Sequence, residues 1–318
     1  MCTIFRTVVS MATVDWGVAH ALGTLGPRHA RTVLDGGVVL IAQLPGFVSI
    51  SASPRGSASA MAWDVLERLD GYGVVVLRGA KLDTEGLLEF GGTFGELVQS
   101  WDPFAGRAGD EPRLQVVEVA DAPSREAPGD STSRRWHTDV SFVSDPSPFT
   151  VLVCQTPAEL GGATEFADLR SALGTLPTDL AETARRATAI HSFGWRIGAS
   201  LRAKQDPAAV DRLCAAYPDV SHPLVVRDRG FDSLFLSELC LRELVGIPEA
   251  ESDCFVRLLN DHATDVGNVF AHEWMTGDVV VWNNRAVMHR RSLGAVVGTR
   301  RLLRMSTRGM SLQRAGEN

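Results

Sequence analysis

Apolar positions fall into two rhythms along the chain. Met61, Val65 and Leu69 recur at helical spacing and stop at Gly71, which predicts a helix in MAWDVLERLDGYG. The β-branched run GVVVLRG follows as a buried strand, and LDTEGLLEFGGTFGEL reads as a second helix opening at Asp83 or Thr84. FTVLVCQTP is a strand, GGATEFAD a turn and strand, and DLRSALGTL and PTDLAETARRA are helices, the second with Pro177 in its first turn. Residues 191–236 alternate short strand-like pieces with loops, SDCFVRLLNDHATD is helical, and GDVVVWNN and RRLLRMSTRG are β-like. Residues 120–133, ADAPSREAPGDSTS, hold almost nothing that can pack and read as a mobile loop. The first 60 residues are mixed, with the apolar run VVLIAQL and a Ser/Gly/Pro-rich loop, SISASPRGSASA. Strands dominate around WHTDVSF and GDVVVWNN while helices gather elsewhere, which points to a β-sandwich or barrel flanked by helices.

Composition narrows the classes. A chain of 318 residues with 45% hydrophobic and 22% charged residues has ample material for a globular core, and no apolar stretch has membrane-spanning length. The net charge of -7 opposes a nucleic-acid surface and leaves a small molecule as the expected partner, with a homo-oligomer left open. Cys2, Cys154, Cys214, Cys240 and Cys254 are scattered, with no CxxC pair, so they are expected to be reduced thiols in the cytoplasm. No signal peptide is evident, and Met11 offers an alternative start.

The candidate chemistry lies in WHTDVSF. On an extended strand His137 and Asp139 project from one face, so an imidazole and a carboxylate can reach one ion. They are two parts of the 2-His-1-carboxylate triad that leaves half of an octahedral iron open to reactants. So short a pattern is common by chance, and an exposed strand carrying His and Asp is its commoner explanation. His289 supplies the missing histidine, because it follows GDVVVWNNRAVM where a buried strand leaves the core. Asn283, Asn284 or a backbone carbonyl is expected to orient its second ring nitrogen.

WHTDVSF, LGGATEFAD, GDVVVWNNRAVMH and RRLLRMSTRG, in this order, resemble the taurine dioxygenase-like, or clavaminate synthase-like, Fe(II)/2-oxoglutarate-dependent oxygenases over roughly residues 60–310. The resemblance implies an α+β fold with a double-stranded β-helix (jelly-roll) core flanked by α-helices. Residues 1–60 would be an N-terminal extension and the start of the fold, 61–312 the oxygenase domain and 313–318 a tail. It implies His137, Asp139 and His289 as ligands to Fe(II), with 2-oxoglutarate as co-substrate and O2 as oxidant. Thr164 follows His137 by 27 residues and Arg300 follows His289 by 11, the family's spacings for the pair that holds the distal carboxylate of 2-oxoglutarate. An arginine suits that task because its planar fork pairs with a carboxylate through two parallel bonds.

The implied reaction converts 2-oxoglutarate to succinate and CO2 while hydroxylating or desaturating a small organic substrate, anionic or from secondary metabolism. Asp139 argues against halogenation, since related halogenases carry a small residue there. Ser100, Ser133, Val140 and Arg304 are the substrate-side candidates. Ser100 stands where taurine dioxygenase has a histidine for the sulfonate, which argues against taurine, and Arg134 and Arg135 replace an amide-bearing segment. Arg300 and Arg301 are adjacent, so only strand alternation can say which faces inward. His191 is a loose substrate-side candidate, whereas His262 and His272 read as packed residues on helical and strand faces. A metal-dependent hydrolase on the same triad and a non-catalytic barrel binding protein are the competing readings, separated by whether O2 and 2-oxoglutarate are consumed.

Overall fold

The structure, a computed structural model, describes residues 46–52, 56–99, 111–121 and 132–316, together with the backbone of strands at 32–33, 39–44 and 106–108. Most of the loop expected at 120–133 and the candidate Ser100 lie outside the described residues. The larger sheet follows the order β1 (Thr32–Val33), β2 (Val39–Leu44), β3 (Phe47–Ser51), β4 (Val74–Arg78), β16 (Val279–Asn283), β8 (Phe149–Thr156), β18 (Thr299–Thr307), β7 (Glu111–Ala120) and β6 (Gly106–Ala108). A short strand, β5 (Leu97–Val98), also pairs with β18. The β3–β4 pair is parallel and every other pair in this sheet is antiparallel.

A smaller antiparallel sheet, β15 (Val269–His272), β9 (Thr164–Asp168) and β17 (Val287–Arg291), faces it. Two further three-stranded sheets complete the described strands: β11 (Val220–Pro223), β10 (Thr188–His191) and β14 (Leu241–Leu244), then β13 (Phe231–Leu234), β12 (Val225–Asp228) and β19 (Gln313–Arg314).

Strand alternation divides the interior into layers. Val279 and Val281 of β16, Val151 and Val153 of β8, and Leu303 and Met305 of β18 point to the outer face. There they pack on helices α1 (Ala58–Gly71) and α2 (Thr84–Gly92) through Val65, Leu69, Leu87 and Phe90. The intervening residues Val280, Trp282, Leu152 and Leu302 point inward and meet Phe166 and Val287 of the smaller sheet. Two sheets closing on one apolar layer form the jelly roll that the family resemblance implied. The outer face of the smaller sheet, including Ala167 and Met288, packs against α3 (Leu169–Thr175), α4 (Thr178–Arg186) and α7 (Glu249–Ala263).

Local chemistry sets the helix ends. Ser57 caps α1 by accepting from the Ala60 N–H at 3.2 Å, so that helix starts three residues before the Met61 expected from periodicity. Asp83 caps α2 and accepts from the Gly86 N–H at 2.9 Å. Pro177 precedes α4 as its cap residue rather than standing in the first turn. The largest departure lies in 191–236, where α5 (Ile197–Arg202) and α6 (Pro207–Ala216) replace part of the expected strand-and-loop alternation. Val210 is the one buried residue of α6, so its sequence carries hardly any apolar stripe. No helix among the described residues is long and apolar enough to cross a membrane.

The outer layer can be tested away from the candidate site. Phe90 is fully buried between α2 and the larger sheet, so Phe90→Ala should cost about 3–5 kcal/mol in urea denaturation. A loss below about 1 kcal/mol would show that this layer is not tightly packed.

Candidate active site

Backbone pairing brings the motif histidines together. The His137 N–H donates to the His289 carbonyl at 3.0 Å, and the His289 N–H donates back to the His137 carbonyl at 2.9 Å. This one antiparallel bridge extends the edge of β17 and leaves the imidazole centroids 4.2 Å apart. The strand expected across the HxD pair is limited to that bridge, because the chain turns at Asp139 and Val140 takes a φ of +54°. Asp139 still points back: its Oδ1 lies 3.8 Å from His137 Nε2 and 3.8 Å from His289 Nε2. One ligand atom from each residue falls within 4.8 Å of the others. An ion with bonds of about 2.0–2.2 Å could be held by a small inward movement of the three side chains.

The surroundings prepare those atoms as donors. His137 Nδ1 lies 2.7 Å from the Arg135 carbonyl, so that nitrogen carries the proton and Nε2 keeps its lone pair. Burial lowers His137, and burial together with the charge of His137 pushes His289 down to about 3, leaving both imidazoles neutral near pH 7. Burial works against the Asp139 charge, yet Arg304 beside it, the imidazoles and the Thr150 hydroxyl hold the carboxyl down to about 2. Arg304 Nη2 is 2.9 Å from Asp139 Oδ1. The other carboxylate oxygen accepts from Thr150 Oγ1 at 2.8 Å, and Thr150 accepts from Asn284 Nδ2 at 2.9 Å. Trp282 Nε1 in turn donates to Asn284 Oδ1 at 2.9 Å.

That relay corrects the expected role of the asparagines. Asn284 steers the carboxylate through Thr150, and Asn283 binds Asp228 at 2.7 Å. His289 Nδ1 meets no partner among the described residues, and its ring is set by packing on Trp282 and Phe166, with centroids 4.6 and 6.0 Å away.

A second group of polar residues lies deeper between the sheets. Gly161 and Gly162 take φ values of +74° and +75°, and a Cβ at Gly161 would stand 2.0 Å from the Ala295 carbonyl oxygen. Only glycine fits that turn, which delivers Thr164 to the inner face of β9. Arg300 donates to the Gly162 carbonyl at 2.6 Å and is only 4% exposed, whereas Arg301 turns outward to Glu118 and Gln155. Alternation thus assigns the inward position to Arg300. Its Nε has no partner among the described residues, and Trp274 Nε1 donates to Thr164 Oγ1 at 3.1 Å. A buried guanidinium with an open donor suits a carboxylate. Burial and the neighbouring Arg291 push Arg300 down to about 10, so it stays cationic at neutral pH. Neither Arg291 nor Thr150 was marked by the sequence motifs.

Arg304 and Val140 line a cavity of about 170 Å³ together with Val98, Gln99, Val143 and Ser306. Ser133 lies in a short 3-10 turn, Thr132–Arg134, before the first histidine. Arg135 faces a separate cleft of about 330 Å³ with Arg196 and Glu238. His191 is fully buried against His222 and Phe235 and does not line the Arg304 cavity. His272 is buried against Trp274 with Asp278 Oδ2 at 3.3 Å, and His262 binds the Ala172 carbonyl at 3.0 Å, so both are packed residues.

The sequence profile described as the taurine catabolism dioxygenase TauD, TfdA family matches residues 49–306. The chain belongs to this family of dioxygenases. Among curated relatives, it is 30% identical over 257 residues to the alpha-ketoglutarate-dependent 2,4-dichlorophenoxyacetate dioxygenase of Cupriavidus pinatubonensis, covering 76% of this chain and 87% of the relative. Pentalenolactone F synthase of Streptomyces arenae is 26% identical, with 72% and 80% covered. The crystal structure of a taurine dioxygenase from Burkholderia xenovorans superposes with a TM-score of 0.68 at 22% identity, covering 88% of this chain and 91% of that one, and so shares the fold.

The depressed histidines make acid sensitivity a test of this geometry. The unfolded chain titrates its histidines near 6.5, so between about 6.5 and 3 it binds more protons than the folded protein, and stability falls as pH falls through that window. In metal-free protein the urea midpoint should drop across this range, and less steeply in His289→Phe. An unchanged slope in the variant would place His289 in a solvated environment.

Proposed function

We propose that this chain couples oxidative decarboxylation of 2-oxoglutarate, to succinate and CO2, with hydroxylation or desaturation of a small organic anion, using Fe(II) and O2. The observation that carries the reading is the convergence of His137, Asp139 and His289 within 4.8 Å, with Thr164 and Arg300 both buried on inward faces of the two sheets. Iron bound by the triad supplies the activation of O2.

The protein's own groups do the rest. His137 and His289 offer neutral nitrogens, and Asp139 offers a carboxylate oriented by Thr150. Arg300 and Thr164 hold the distal carboxylate of 2-oxoglutarate, which aims the 2-oxo acid end toward the open side of the triad. Trp282 and Phe166 wall the site with apolar rings and exclude water from it. Arg304 adds a positive charge to the cavity that Val140, Val98 and Val143 line, which favours a substrate with an apolar body and one anionic group. The relative named for 2,4-dichlorophenoxyacetate supports this class, since that compound is an aryl ether carrying a carboxylate. Ser133, on the turn before His137, is the further substrate-side candidate. Hydrolysis on the same triad would leave the buried Arg300 and Thr164 without a task. The free state of Cys154, Cys214, Cys240 and Cys254 supports a reducing compartment, the cytoplasm.

Succinate release from 2-oxoglutarate should require both Fe(II) and O2. His137→Ala, Asp139→Ala and His289→Ala should each abolish it, and Arg300→Ala should raise KM for 2-oxoglutarate about tenfold or more while retaining measurable kcat. Near-normal turnover in any of the three triad variants would remove that residue from the site.

A further inference from the structure

The backbone around the triad carboxylate is held from several sides. Before Asp139, His137 exchanges backbone hydrogen bonds with His289, and the Thr138 hydroxyl donates to the Leu236 carbonyl at 2.9 Å. The residue after it, Val140, has a φ of +54°. A β-branched residue rarely takes that conformation, because its Cβ crowds the following carbonyl, and such strain persists only where the surroundings over-determine it. Further on, Phe142 is 1% exposed and stands edge-on to Phe193 and Tyr217, with centroids 5.0 and 5.2 Å away. Between Val140 and Phe142 the Ser141 carbonyl lies 3.0 Å from His222 Nε2. A carbonyl only accepts, so Nε2 carries the proton and donates it to this bond.

The donor is built into the interior. His222 lies on β11 and is 2% exposed, and its ring stands edge-on to His191 and Phe235 at centroid distances of 5.1 and 5.4 Å. A ring packed on two sides cannot swing its N–H away without opening a void, so the bond has a fixed direction. We propose that His222 is a positioning residue for the triad: its N–H on the Ser141 carbonyl holds Val140 left-handed, which keeps Asp139 turned back toward His137 and His289. Without that bond Val140 relaxes toward negative φ, and rotation about its backbone moves one of its two neighbours. Phe142 is locked in a packed cluster, whereas Asp139 is held by side-chain contacts with Thr150 and Arg304, so Asp139 is the one that shifts. The assignment rests on the triad holding a metal, as proposed above, and adds a residue that shapes it.

Mn(II) affinity tests this without turnover, measured by the loss of the free-ion electron paramagnetic resonance signal as protein is added. His222→Phe keeps a ring, removes the donor and should weaken Mn(II) about ten- to a hundredfold. His222→Gln returns an N–H near the place of Nε2 and should bind Mn(II) at least about fivefold more tightly than His222→Phe. Val140→Gly added to His222→Phe should also recover affinity, because glycine takes a positive φ freely, a change that would not repair a packing defect. Affinity of His222→Phe within about threefold of the unaltered protein overturns the proposal. A loss that neither second change repairs also overturns it and makes His222 a packing residue. Should His222→Phe not fold, His222→Asn takes its place, since its shorter amide stops short of the carbonyl; equal Mn(II) affinity in His222→Asn and His222→Gln then overturns the assignment. An unaltered protein that binds no Mn(II) removes the metal reading itself, and the role of His222 with it.

Discussion

One pair of backbone hydrogen bonds joins the halves of the site. The exchange between His137 and His289, at 3.0 and 2.9 Å, locks segments from distant parts of the chain in register. A shift of one residue would turn His289 toward the outer layer and bring Met288 or Arg290 to the ion-holding position. The apolar layer between the sheets opposes such a slip, because Val287 and Phe166 would leave their contacts with Trp282 at the same time. Packing therefore protects the chemistry by fixing register.

The inner face is unusually cationic for an acidic chain. The protein carries a net charge of -7, yet Arg300 and Arg304 of β18 and Arg291 of β17 all turn inward, and Asp139 is the acid facing Arg304. Arg304 stabilises the carboxylate that an ion needs, and the buried Arg300 keeps an open Nε donor for a second negative group. Thr150 and Asn284 hold the remaining carboxylate oxygen, so orientation and charge at Asp139 come from different neighbours. This separation between a metal-facing set and an anion-facing set is what a co-substrate with two acidic ends requires.

Much of this was readable in the residues. The triad, the paired-glycine turn and the Arg300/Arg304 spacing are short patterns whose chemistry is local. The same holds for helices α1, α2 and α7, whose buried faces follow a clear period. Arg291 was hidden because a run of two arginines has no inside or outside until its strand is paired. The asparagine roles were misassigned for a related reason: Asn284 is near His289 in sequence, but its amide reaches Thr150 across the sheet. Helices α5 and α6 escaped notice because they bury few residues and so leave little apolar periodicity to read.

The proposed function requires three side chains to gather one ferrous ion and leave room on it for a 2-oxo acid. An anaerobic titration of the metal-free protein with Fe(II), in the presence of 2-oxoglutarate, measures this directly through the visible charge-transfer absorption of a chelated 2-oxo acid. That band should grow and saturate at one equivalent of iron per chain. A protein that binds no iron, or binds it without developing the band, would contradict it.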